Sequence, residues 1–149
     1  MRRRHLPDAG RRRVANRAAG CCEYCAAQAA FSQDALSVEH ILPSSRGGSN
    51  SSDNLALSCQ GCNNFKFTAT AAVDPVTGER VALFHPRHDR WLEHFAWSED
   101  WTEVLGLTAV GRATIVRLQL NRAGLVNQRR VLRAMGEHPP PKFQHPDRN

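Results

Sequence analysis

The chain has 149 residues, 20 Lys plus Arg against 14 Asp plus Glu, a net charge of +6 and a pI near 9.6. That length predicts one domain with a modest core, one that a structural metal would strengthen. It holds no apolar run long enough to cross a membrane and no apolar segment behind its N-terminal arginines, so no membrane span and no secretory leader are expected and a cytoplasmic protein is predicted.

Eighteen of the 20 basic residues are Arg; only Lys66 and Lys142 are Lys. Arginine presents a planar fork of donors that suits phosphate oxygens, so the charge points toward a nucleic-acid partner. Residues 1–17 hold seven arginines and one Asp. They are either a solvated tail or a non-specific phosphate clamp. Residues 1–9 are expected to be flexible, with a helix from about Gly10 to Ala19 ended by Gly20.

Four of the five cysteines form two Cys-x-x-Cys pairs, Cys22 with Cys25 and Cys59 with Cys62. Four soft thiolates in two knuckles suit a tetrahedral structural zinc. Cys21 is left over, as a free thiol or as an alternative to Cys22. A redox role lacks a thioredoxin-like setting. Between the knuckles, Leu36 to Ile41 alternates apolar and polar and predicts a short strand that Pro43 stops. Residues 44–52 form a Gly-containing loop with Arg46. Leu55 to Leu57 fits a second short strand. A helix is expected from Gln60 to about Ala72.

The stretch then reads Glu39-His40, a loop, Asn54, and Cys59-x-x-Cys62-Asn63, with Lys66 three residues on. This order resembles the HNH endonuclease signature, in the variant with a zinc-stapled core and Asn at the last position. The resemblance covers Cys22 to Lys66. It implies an α+β fold with a ββα-metal core over residues 20–72, flanked by an N-terminal helix and a C-terminal strand and helix extension over residues 73–136. It also implies hydrolysis of DNA phosphodiester bonds, with RNA open as a second substrate. His40 would be the general base, Glu39 and Asn63 would hold a catalytic Mg²⁺ or Mn²⁺, and Asn54 would hold the loop and orient the base. Arg46 and Lys66 would touch phosphate. Glu39 stands where the family often has Asp, and Phe67 stands where Gly often follows the Lys. The chemistry agrees with the residue types: imidazole serves as a base near neutral pH, and a carboxylate with an amide oxygen suits a hard cation. Neighbours on a strand point to opposite faces, so Glu39 and His40 meet one phosphate only if the strand ends or twists there. The alternative is a zinc-stabilised nucleic-acid-binding module that does not cut.

Beyond the core, Asp74-Pro-Val-Thr-Gly is a turn signal, with Val76 and Val81 to Phe84 as a hairpin-like pair. A strand is expected from about Phe95. Thr108 is positioned to cap a helix running to about Leu120, and a last helix covers Leu125 to Met135. His85, His88 and His94 are read as packing or surface residues. Residues 137–149 are Pro-rich and expected to be flexible.

Overall fold

The computed structural model describes residues 6–146. Helix α1 (Asp8–Arg17) leads to the first knuckle. Strand β1 (Ser37–His40) pairs antiparallel with β2 (Leu55–Ser58), and α2 (Gln60–Lys66) follows. The register sets Glu39 opposite Ala56 and His40 opposite Leu55. Strands β3 (Ala71–Val73) and β4 (Arg80–Ala82) form a second hairpin. After α3 (Trp91–His94), β5 (Phe95–Trp97) pairs with β6 (Val104–Gly106). Helices α4 (Ala109–Leu118) and α5 (Ala123–Ala134) close the chain. The fold is α+β, as expected.

Several boundaries follow from local chemistry. Val14 and Ala18 bury α1 against Leu55 and Leu57 of β2. Arg17 donates to Ser52 O and Leu55 O, so this arginine clamps the helix to the strand rather than waiting for phosphate. The Thr108 hydroxyl accepts from Gly111 N and caps α4. Helix α2 is shorter than expected. Its C-cap, Phe67, has φ 52° and ψ −117°, and Ala69 N donates to Lys66 O across the turn. Those angles belong to the first central position of a type II′ turn, normally glycine's. A bulky residue there costs on the order of 1–3 kcal/mol. The helix expected to reach about Ala72 ends at Lys66, and residues 71–73 turn back as β3 instead. Val76 lies in the turn and not in the hairpin strands.

One core joins the cysteine knuckles to the C-terminal extension. It contains Cys22, Tyr24, Cys25, Cys62, Phe84, Trp91, Phe95, Trp97, Leu118 and Phe143. Trp91 Nε1 donates to Tyr24 O at 2.9 Å, and the Trp91 ring lies 5.0–5.2 Å from Phe95, Trp97 and Phe143. The flexible tail expected from residue 137 needs correction over 137–146. Phe143 is buried and its carbonyl accepts from Trp97 Nε1, while His138 sits edge-on to the same indole. An aromatic anchor outweighs the Pro-rich composition around it. At the other end, Asp8 and Ala9 of the expected flexible tail are already in α1, which begins before Gly10, while positions 1–5 and 147–149 lie outside the described residues. Among the described residues no helix is long and apolar enough to cross a membrane.

Candidate metal and nuclease site

The four knuckle thiols converge. Cys22, Cys25, Cys59 and Cys62 place their sulfurs within 4.8 Å of one another, with Cys25 Sγ 3.6 Å from Cys59 Sγ. Cys21 is buried outside this group, its thiol against Ala19 O. Burial pushes the Cys22 thiol up, whereas hydrogen bonds from Cys22, Cys25 and Cys62 push Cys59 far down. The donor set and its closeness fit a structural zinc, which four thiolates would hold in a closed tetrahedron.

The surroundings of the quartet complete that fit. Arg122 donates to Cys59 Sγ at 3.4 Å and to Cys62 Sγ at 3.6 Å. Four thiolates on Zn²⁺ carry net negative charge, and the guanidinium opposes it. Gly61 makes room: a Cβ there would lie 2.4 Å from Arg122 Nη2. Arg129 reaches Cys25 O from α5. Neither arginine is visible in the knuckle motif, since each lies about 60 residues or more beyond it in sequence.

The two residues inside the first knuckle also have assigned contacts. Glu23 is buried. Its backbone N donates to Leu57 O, its Oε2 accepts from Leu57 N, and its Oε1 meets Arg87. Tyr24 Oη donates to Glu39 Oε1. The knuckle is thus fixed to β2 on one side and to the candidate site on the other.

At the end of β1 the strand neighbours point apart. His40 Nε2–H donates to Asn50 Oδ1 at 2.6 Å, which leaves Nδ1 as the ring's lone pair. Asn50 was not anticipated from the sequence; it lies in the polar loop, where any of several residues is a candidate partner. Asn54 acts as a loop latch. Its Oδ1 accepts from Leu42 N at 2.8 Å, and its Nδ2 donates to Leu42 O at 3.1 Å and Ser49 O at 2.8 Å. The loop turns back tightly: a Cβ on Gly48 would lie 1.7 Å from Leu42 O. Asn54 therefore touches the loop, while the contact to the imidazole belongs to Asn50.

Glu39 turns inward and is 6% exposed. Tyr24 takes one carboxylate oxygen, and Lys66 Nζ stands 3.6 Å from the other. Burial raises the Glu39 pKa against the pull of Lys66. Lys66 is 1% exposed and also donates to Ile41 O at 2.9 Å. The expectation that Lys66 touches phosphate is therefore corrected: it is a buried partner of Glu39. Asn63 is half-buried, three residues before Lys66 on α2, so the two share a helix face. Glu39 and Asn63 match a hard divalent cation in kind, but the Lys66 ammonium already provides the positive charge beside Glu39. Arg46 is exposed and donates to Thr68 O and Thr70 Oγ1. A cleft of about 380 Å³ opens beside the strand end, lined by Ile41, Leu42, Lys66, Thr70, His85 and His88. The two histidine rings stack there at 3.8 Å, and His85 Nδ1 accepts from Arg87 N and His88 N.

Residues 22–67 match the family model for HNH endonuclease. No curated protein and no solved structure matches the chain. The family implies nuclease-type action on nucleic acid, and the HNH segment carries the cysteine quartet whole.

Proposed function

We propose that the protein is a metal-dependent HNH endonuclease that hydrolyses DNA phosphodiester bonds, with His40 as the general base. The observation that carries this reading is the held imidazole. His40 ends β1, its Nε2–H is fixed by Asn50, and Asn54 latches the loop that carries Asn50. A fixed tautomer with one lone pair is what proton abstraction from water requires. Asn50 and Asn54 are positioning residues in this scheme. The zinc quartet holds α2 against the strand pair and takes no part in the reaction.

A divalent ion, when bound, would supply positive charge to the scissile phosphate. Glu39 and Asn63 are the residues that would hold it. In the described arrangement Glu39 holds Lys66, so the ammonium and a divalent ion compete for one carboxylate. The buried Glu39–Lys66 pair is also the observation that favours the second reading, a nucleic-acid-binding module that does not cut. Plasmid cleavage with added Mg²⁺ or Mn²⁺ separates the two. Wild type should nick or linearise DNA, and His40→Ala should lose about 10²- to 10⁴-fold in rate while keeping its zinc and melting temperature. Equal cleavage by both proteins would remove His40 from the mechanism; no cleavage by wild type would favour the binding module.

A further inference from the structure

Phe67 is 73% exposed, and its backbone is held in a conformation that glycine adopts far more readily. The strain sits one helical turn beyond Asn63, since Phe67 N donates to Asn63 O at 2.9 Å. Two exposed arginines are tied to the backbone immediately on either side of it. Arg117 Nη2 donates to Lys66 O at 3.4 Å, and Arg46 Nη1 donates to Thr68 O at 3.3 Å. A guanidinium has five donors, so such an anchor does not exhaust it. The surface thus carries a projecting aromatic ring between two fixed cations, next to the residues proposed to act on a phosphodiester.

We propose that Phe67 stacks on an unpaired or displaced base of bound DNA, with Arg46 and Arg117 on the flanking phosphates. Stacking on an aromatic side chain and backbone contacts from arginines are the two elements of single-strand recognition. An apolar wedge between base steps works the same way in duplex DNA, at the cost of unstacking them. A base already unpaired at a bulge, mismatch or single-stranded segment avoids that cost. The surface therefore recognises DNA locally open near the scissile bond. A second copy of the chain is a poorer occupant, because the two arginines of one surface would repel those of another. The proposal rests on the nucleic-acid reading of the HNH segment, though not on cleavage.

Fluorescence anisotropy with the full chain, without added divalent ion, tests it on matched DNAs: a full duplex and a duplex with one bulged base. Wild type should prefer the bulged DNA. Phe67→Ala should lose that preference, by about 5- to 150-fold in affinity for the bulged DNA, the range for one stacked base. It should keep its affinity for the full duplex. Phe67→Trp should retain the preference. Phe67→Gly should melt at a higher temperature, since the backbone strain is relieved, yet lose the preference as Ala does, which separates lost stacking from misfolding. Equal affinity of wild type for both DNAs would overturn the proposal. So would Phe67→Ala and Phe67→Gly both binding the bulge as wild type does, or Phe67→Ala converting a wild-type dimer to a monomer without changing DNA affinity. A protein that binds in this way but never cuts would leave the proposal standing and remove only the nuclease reading. A protein that cuts without any dependence on Phe67 would do the reverse.

Discussion

The HNH segment contains two donor sets built on different plans. In the cysteine quartet all four sulfurs face one another, are nearly or fully buried, and are tied down from outside by Arg122. In the candidate nuclease set the neighbours Glu39 and His40 point apart, one held inside by Tyr24 and Lys66 and the other held in the loop by Asn50. The first set is closed and stiff, which suits a structural ion. The second is divided, with its carboxylate already paired, which suits a site whose cation must come and go.

The largest expected effect comes from opening the closed set. Binding of zinc to a cysteine quartet is folding free energy, on the order of 10–16 kcal/mol in small zinc domains. Here the quartet lies inside the core shared with Trp91, Phe95 and Trp97. Cys59→Ser, or a strong chelator, should therefore unfold the extension as well as the HNH segment. Elemental analysis should find about one zinc per wild-type chain. Tryptophan fluorescence should report the loss, since the indoles lie in the extension. A chelated protein with native fluorescence and melting temperature would mean that the quartet needs no metal.

Breaking the Glu39–Lys66 pair should have the next largest effect. Removing one member of a buried ion pair costs about 3–5 kcal/mol, because the other charge is left without its partner. Lys66→Met should lose stability on this scale in denaturant titrations without added divalent ion. Mg²⁺ or Mn²⁺ should restore part of it if the ion takes the place of the ammonium on Glu39. An equal response of wild type and Lys66→Met to the ion would separate Glu39 from metal binding.

How much of these plans the sequence disclosed follows from the distance over which each is built. The knuckle spacing named the four cysteines that converge because each pair is local. The alternation before Pro43, the polar loop and the Asn63 position placed β1, β2 and the start of α2 for the same reason, and Thr108 announced its own helix. The burial of Lys66 could not be seen that way. A lysine after a helix turn reads as surface unless its carboxylate is known to face inward, and Glu39 faces inward because Tyr24 receives it. Arg122 and Phe143 are further cases: each acts on residues far away in sequence, with no motif to mark it. Phe67 was visible as a departure from glycine, but its positive φ and its exposure belong to the fold.

Within the nuclease set, the two asparagines can be separated. Asn54 makes three bonds to the loop backbone, while Asn50 contacts the imidazole. Asn50→Ala should slow cleavage about 3- to 10-fold, the worth of one ordinary hydrogen bond, with an unchanged melting temperature. Asn54→Ala should lower the melting temperature as well, because the loop loses its latch. If Asn50→Ala cuts as wild type does, the hydrogen bond at Nε2 does not position the base.

A further effect concerns pH, and it tests whether the extension's core is as closed as the cysteine quartet. His138 Nε2–H donates to Trp101 O at 2.8 Å, and the ring packs edge-on to Trp97. Burial, with Arg129 and Arg133 nearby, lowers its pKa from 6.5 to about 4. The folded protein thus keeps this ring neutral where the unfolded chain takes up a proton. Its contribution to stability is complete above about pH 6.5, falls as the pH drops toward 4, and levels off below that. The loss should amount to roughly 1–2 kcal/mol after discounting for partial solvent access. Carboxylates titrate in the lower part of this window, so the quantity to measure is the difference between wild type and His138→Gln in urea midpoints from pH 7.5 to 4. That difference should move against wild type as pH falls. A difference that stays constant would mean that water reaches His138 freely and that the segment around Phe143 opens in solution.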